Sequence, residues 1–145
     1  MAVESATIES YFQQLDWPFE RIDDKNWQTG YKGEVFTFNF YVRTDEHWLY
    51  VYVPFPVKVS PAARANVCEH LMRLNYKINM AKFMLDNDGD VGLTAEVPND
   101  NLPLGLFEDA LRAVCYYMDE SYAELVTLAT NPAAVSSVQL PAAAQ

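Results

Sequence analysis

The stretch from residue 34 to residue 55, EVFTFNFYVRTDEHWLYVYVPF, decides the fold. Apolar and polar side chains alternate in both halves of it, which is the pattern of β-strands because successive strand side chains point to opposite faces. Asp45 and Glu46 separate the two halves and predict a turn. Pro54 and Pro56 end the second half, since proline has no N–H to donate to a strand ladder. The stretch therefore predicts a β-hairpin.

The hairpin has a predicted register that sorts its side chains between two faces. A turn at Asp45 and Glu46 would place Val42 opposite Leu49, which gathers the aliphatic and phenylalanine side chains on one face. A slip of one residue would scatter them. We expect that face to line the core.

The second face of the hairpin is rich in rings. It carries a set that we call the aromatic strip, which consists of Tyr41, Arg43, Trp48, Tyr50 and Tyr52. Tyr41 would face Tyr50, and Arg43 would face Trp48 within cation–π distance. A sheet face open only to water rarely carries so many large rings. Either a helix of the same chain covers the strip, or a protein partner or a second copy does, since tyrosine and tryptophan suit protein interfaces.

Helical patterns flank the hairpin on both sides. Apolar residues at helical spacing predict a first helix around 8–15 and a long last helix over about 104–128. A helix between them starts at Ser60-Pro61, where the serine hydroxyl would cap it and proline occupies the first turn.

Further strands complete an α+β fold. Short strands are expected over Phe19–Asp23 and around 27–31, and a second hairpin would pair Leu85 with Val91 around a loop in which Gly89 adopts a left-handed conformation. The predicted fold class is an antiparallel sheet of about five strands with three helices, in the order α-β-β-β-α-β-β-α. One domain would span residues 1–130. Residues 131–145 carry no charge or periodicity and are expected to form a disordered tail.

Composition disfavours several partner classes. The chain has 145 residues, with 10 Lys and Arg against 20 Asp and Glu, so its formal charge is −10. Nucleic acids and anionic membranes attract clustered basic residues, and neither is an expected partner. No apolar run approaches the roughly 20 residues of a bilayer span, and the first residues do not resemble a signal peptide. We expect a cytoplasmic protein with Cys68 and Cys115 as free thiols.

No catalytic or metal-ligating pattern emerges. Asp86, Asp88 and Asp90 resemble the start of a calcium loop, but the glycine is misplaced and the twelfth position is not acidic. His47 and His70 do not complete the four ligands of a zinc site. We therefore expect no catalytic residue, no metal and no cofactor, and we expect the three aspartates to form a polar hairpin tip.

The segment LMRLNYKI at residues 71–78, followed by KFMLD at 82–86 and a turn at Gly89, resembles the YbjN family of bacterial proteins. FERIDD at 19–24, ahead of a Trp-containing strand, fits the same pattern, and the resemblance covers about residues 5–128. It implies the fold of type III secretion chaperones, which are small, acidic, cytosolic and usually dimeric proteins that bind extended client segments. It implies no catalytic residues. Asn75 is the matching polar position, with an expected role in closing the helix end.

Two functions remain open. The first is a non-enzymatic, chaperone-like or regulatory domain, a homodimer that binds a protein segment through its apolar or aromatic surface. The second is a small-molecule-binding domain or an enzyme with a pocket between the sheet and the long helix. The polar candidates for such a pocket are Arg43, His47, Asn39 and Tyr52.

Overall fold

A six-stranded antiparallel sheet packs against three helices in the computed structural model, which describes residues 1–138. The strands are β1 (Phe19–Asp23), β2 (Asn26–Lys32), β3 (Thr37–Thr44), β4 (Trp48–Pro54), β5 (Ala81–Leu85) and β6 (Val91–Pro98). The helices are α1 (Ser5–Gln14), α2 (Arg64–Lys77) and α3 (Leu104–Thr130). Across the sheet the strand order is β1-β2-β3-β4-β6-β5. None of the helices described in residues 1–138 is long and apolar enough to cross a bilayer.

The α+β class and the three helices are confirmed, while the sheet has six strands rather than about five. Both short segments near the N-terminus form strands of their own, β1 and β2, which pair with each other. The turn between them is held by Asp23, whose Oδ1 accepts hydrogen bonds from the Lys25 N–H and the Asn26 side chain, both at 2.8 Å. A carboxylate that bonds the backbone two residues ahead favours a tight turn, and so the two segments separate into two strands.

One face of the sheet carries the core. A single row of paired residues crosses five strands on this face: Trp27, Val42, Val51, Ala95 and Ala81. All five side chains belong to the main core cluster. The same cluster contains the buried apolar residues of all three helices, which therefore lie against this face.

The other face, which we call the outer face, carries the alternate residues of each strand. One row consists of Asn26, Arg43, Tyr50 and Glu96, and the next of Gln28, Tyr41, Tyr52, Thr94 and Lys82. Tyr41 is 38% exposed and Trp48 is 43% exposed. No helix in the described part of the chain covers the outer face.

The predicted register of the β3–β4 hairpin is wrong by two residues. Val42 pairs with Val51 rather than with Leu49, and Tyr41 pairs with Tyr52 rather than with Tyr50. The reason is the turn, because Asp45 Oδ1 accepts the N–H groups of His47 and Trp48 at 2.8 and 2.7 Å and thereby builds a four-residue loop instead of a two-residue one. A shift by two preserves which side chains share a face.

The second hairpin is as predicted. Leu85 pairs with Val91, and Gly89 has a φ of 80°, a conformation that an L side chain rarely adopts. Ser60 differs from its prediction. Its hydroxyl does not cap α2, which is preceded instead by a 3-10 turn over Pro61–Ala63. The Ser60 N–H donates to the Ala129 carbonyl oxygen at 2.9 Å, which ties this turn to the end of α3.

The segment after α3 runs back along the helices. Asn66 Nδ2 of α2 donates to the Ala134 carbonyl oxygen at 2.9 Å, and Ser136 is buried, so residues 131–138 of the expected tail contact the helices. Residues 139–145 lie outside the described residues.

Candidate functional site: the outer face of the sheet

The outer face is concave and encloses a cavity volume of about 470 Å³. The lining comes from all six strands and the β5–β6 loop: Ile22, Asn26, Tyr41, Arg43, Tyr50, Tyr52, Met84, Asp86, Thr94 and Glu96. Four of the five residues of the aromatic strip are among them. Trp48, the fifth, lies outside the lining, at the end of β4 where it pairs with Pro98.

Arg43 and Tyr50 form a fixed pair in this concavity. The guanidinium carbon of Arg43 lies 4.3 Å from the centre of the Tyr50 ring, a cation–π contact. The predicted contact between Arg43 and Trp48 is wrong, because the longer turn moves every partner on β4 by two residues. The Tyr50 hydroxyl donates to Asp45 Oδ2 at 2.8 Å.

Asp45 links the turn to the site. The N–H groups of His47 and Trp48, followed by the Tyr50 hydroxyl, stabilise its carboxylate and hold its pKa below the ordinary value. The same hydrogen bond raises the pKa of Tyr50, because it stabilises the protonated phenol beside a negative charge. One carboxylate therefore shapes the β3–β4 turn and fixes the orientation of a ring in the concavity.

Tyr52 forms the middle of the concavity. Its ring lies where a side chain on Gly92 of β6 would be, so it packs directly onto the neighbouring backbone. Thr94, its paired residue on β6, is 3% exposed. Burial, followed by the charges of Asp86 and Asp90, raises the pKa of Tyr52. The phenol is therefore neutral at physiological pH and presents an apolar ring with a polar tip.

Charged side chains border the rings. Lys82 Nζ on β5 lies 3.1 Å from Glu96 Oε2 on β6, and Lys58 Nζ lies 2.6 Å from Asp90 Oδ2. Asp86 Oδ1 accepts the N–H groups of Asp88 and Asp90 at 2.8 and 2.9 Å, which closes the β5–β6 loop. The Asp86 carboxylate thus closes the loop, while the Asp90 carboxylate pairs with Lys58.

The best-formed cavities in residues 1–138 do not lie between the sheet and the long helix, where the sequence predicted a pocket. Phe107, Leu111 and Met118 of α3 are fully buried in that space. Of the polar candidates for that pocket, Arg43 and Tyr52 lie on the outer face, together with exposed Asn39, while His47 is exposed in the β3–β4 turn.

Asn75 plays a role other than the one predicted from the sequence. Its side chain reaches across to β5, where Oδ1 accepts the Phe83 N–H at 2.8 Å and Nδ2 donates to the Phe83 carbonyl oxygen at 3.1 Å. The amide thus pairs with one residue of an edge strand as a neighbouring strand would. The helix end is closed instead by the Ile78 N–H, which donates to the Leu74 carbonyl oxygen.

Sequence reasoning missed the lining residues outside the β3–β4 hairpin. Thr94 and Glu96 alternate with the apolar residues of β6, and this parity is a signal that could have placed them on the outer face. Met84 has the same parity signal, because it lies between Phe83 and Leu85 on β5. Ile22 has no such signal, because it lies at a register shift between Arg21 and Asp23 where β1 pairs with β2.

Several solved structures are similar in fold. A chain of the heterodimeric ExoU–SpcU complex from the type III secretion system of Pseudomonas aeruginosa matches with a TM-score of 0.60 and 18% identity, over 84% of this chain and 97% of that one. YbjN from E. coli matches with a TM-score of 0.62 and 13% identity, over 86% and 96%. A chain of the HopA1–SchA chaperone–effector complex matches with a TM-score of 0.57 and 10% identity, over 79% and 89%. The predicted fold of type III secretion chaperones is thereby confirmed.

The comparison with curated protein sequences finds no match. The family model of YbjN, described as "Putative bacterial sensory transduction regulator", matches residues 4–126. This span agrees with the resemblance derived from the motifs, and the chain belongs to the YbjN family.

Proposed function

We propose that this protein is a non-enzymatic, chaperone-like binding domain of the cytoplasm whose outer face receives an extended segment of another protein. The observation that carries the proposal is a ring-lined concavity on the face opposite all three helices. Apolar rings in a concave surface gain free energy when a partner removes them from water. Phenol and guanidinium groups beside them supply direction and specificity.

The similar folds support a protein partner. Two of them are chains of two-protein complexes. One is a heterodimeric complex of a type III secretion system, and the other is a chaperone–effector complex. The acidic balance of the chain, −10, favours a client segment that is apolar or basic.

The residues of the concavity favour binding over catalysis. Tyr50 donates to Asp45, Lys82 pairs with Glu96, and burial keeps the Tyr52 phenol protonated. Groups engaged in this way are poor nucleophiles and poor bases.

We also propose that the protein acts as a homodimer. Trp48, which lies outside the concavity, remains 43% exposed at the end of the hairpin, and a second copy would bury it. Sedimentation velocity at micromolar concentration tests this point. A dimer that Trp48→Ser dissociates supports it, and a monomer at all concentrations contradicts it.

Quantitative affinity capture from native cytosol tests the binding face. Tyr50→Ala and Tyr52→Ala should lose partners that the wild type retains, whereas Tyr116→Ala should keep them. Tyr116 is a matched control because it is a tyrosine on α3, 59% exposed and remote from the outer face. If the folded Tyr50 and Tyr52 variants keep every partner, the outer face is not the binding site.

A further inference from the structure

A second polar site lies on the helical side of the molecule, between α2 and α3. His70 of α2 is 1% exposed, and its Nε2 lies 3.7 Å from Glu124 Oε1 of α3. Within residues 1–138 this nitrogen has no hydrogen-bond partner. Buried polar atoms are ordinarily paired, so an unpaired ring nitrogen facing a carboxylate is unusual in a site that serves only for packing.

Residues 131–138, NPAAVSSV, lie across this site. Ser136 Oγ is 2.7 Å from His70 Nδ1. The next residue, Ser137, donates its backbone N–H to Glu124 Oε2 at 2.9 Å and its hydroxyl to Glu124 Oε1 at 2.7 Å. Asn66 holds the chain two residues before Ser136, through the Ala134 carbonyl oxygen.

These contacts have the character of peptide recognition. Three side chains of the two helices contact a backbone carbonyl, a backbone N–H and two neighbouring hydroxyl groups. The bound segment has no charged residue and no large aromatic one. Its position therefore depends mainly on directional hydrogen bonds, which specify a chain direction and a sequence position.

We propose that Asn66, His70 and Glu124 form a peptide-binding groove, and that residues 131–138 of the same chain occupy it as an internal ligand. The groove selects an uncharged segment with hydroxyl residues at two adjacent positions. An external segment of this kind has to displace the internal one, because both require the same three side chains. This site is separate from the outer face and does not depend on the function proposed for it.

A fluorescent peptide with the sequence NPAAVSSV tests the groove in the full-length protein. The double variant Ser136→Ala/Ser137→Ala weakens the internal ligand, so it should bind the peptide at least tenfold more tightly than the wild type in fluorescence anisotropy. A peptide with both serines replaced by alanine should not bind. Adding Asn66→Ala to the double variant should weaken binding, whereas adding Tyr52→Ala should leave it unchanged.

Equal binding by the wild type and the double variant, or equal binding of the serine-free peptide, would overturn the proposal. Hydrogen exchange of the wild type provides a measurement that needs no variant. Excess NPAAVSSV peptide should release the internal segment and raise amide exchange at Ser137, whose N–H is bonded to Glu124. Unchanged exchange at saturating peptide would also overturn it.

Discussion

The Tyr52 ring on β4 occupies the space in which a side chain on Gly92 of β6 would lie. A methyl group built at Gly92 would be 2.8 Å from the Tyr52 hydroxyl oxygen and 2.9 Å from Cζ. Gly92 pairs with Pro54, two residues from Tyr52, so the ring leans diagonally across the sheet. The glycine thus gives the concavity its floor, since any larger residue would lift the ring away from the backbone.

Gly92→Ala is therefore expected to displace the Tyr52 ring. Overpacking of this kind costs about 1–3 kcal/mol of the free energy of unfolding, which urea denaturation measures. The control is Gly105→Ala, because a methyl group at Gly105 in α3 meets nothing within 4 Å. That variant should be neutral or more stable, given the higher helix propensity of alanine. Equal stability of the wild type and the Gly92 variant would show that the ring does not need the glycine.

The pH dependence of stability should report on His70. Burial, opposed by the charge of Glu124, lowers its pKa below the ordinary 6.5. The unfolded chain then binds the proton more readily than the folded one, so the stability due to neutral His70 is complete above about pH 6.5 and declines as the pH falls below it. We expect the stability advantage of the wild type over His70→Gln to shrink between pH 7.5 and pH 5.5 in thermal unfolding. An advantage that stays constant over this range would contradict the assignment.

Asn75→Ala should destabilise the sheet edge. It removes two hydrogen bonds to Phe83, each contributing about 0.5–1.5 kcal/mol, and leaves a backbone N–H and C=O open on an edge strand. We expect a loss of about 1–3 kcal/mol in urea denaturation, with increased light scattering at high protein concentration. Asn75→Asp is the matched variant, since it keeps an acceptor for the Phe83 N–H and should lose less stability. No increase in self-association would mean that Asn75 does not protect the edge.

The two thiols should differ in reactivity. Burial raises the pKa of Cys115 to about 12, while Cys68 is half-buried. Because the thiolate is the reactive form, a disulfide reagent at pH 8 should modify Cys68 in the native protein and both cysteines in the denatured protein. Native modification of Cys115 at a comparable rate would mean that the core opens around it.

The sequence predicted the faces of the strands better than their partners. Apolar and polar residues alternate in β3 and β4, which places Phe40 and Val51 on the core face. This assignment holds for the observed register and for any register shifted from it by an even number of residues. The register itself depends on Asp45, whose carboxylate bonds to two backbone N–H groups and lengthens the turn. Alternation contains no information about such a side-chain contact. For this reason the sequence predicts Trp48 as the partner of Arg43, whereas the structure has Tyr50.

Contacts between distant segments were beyond the reach of sequence patterns. Asn75 is eight positions from Phe83, and Glu124 is 13 positions from Ser137, yet both pairs meet through tertiary packing. Residues 131–138 are uncharged and show no apolar period, so sequence patterns predict disorder for them. Their hydrogen bonds go to Asn66, His70 and Glu124 on two helices, which no local pattern indicates. The position of β6 between β4 and β5 is likewise a long-range pairing, and it brings Glu96 beside Tyr50.

Site-specific photo-crosslinking tests the central claim, that a protein covers the outer face, most directly. A photoreactive phenylalanine analogue placed at position 41, inside the concavity, is compared with the same residue at position 116 on α3. We predict crosslinks to a client protein from position 41, reduced by Tyr52→Ala, and none from position 116. Crosslinks of equal yield from both positions, or from position 116 alone, would contradict the assignment of the outer face as the binding surface.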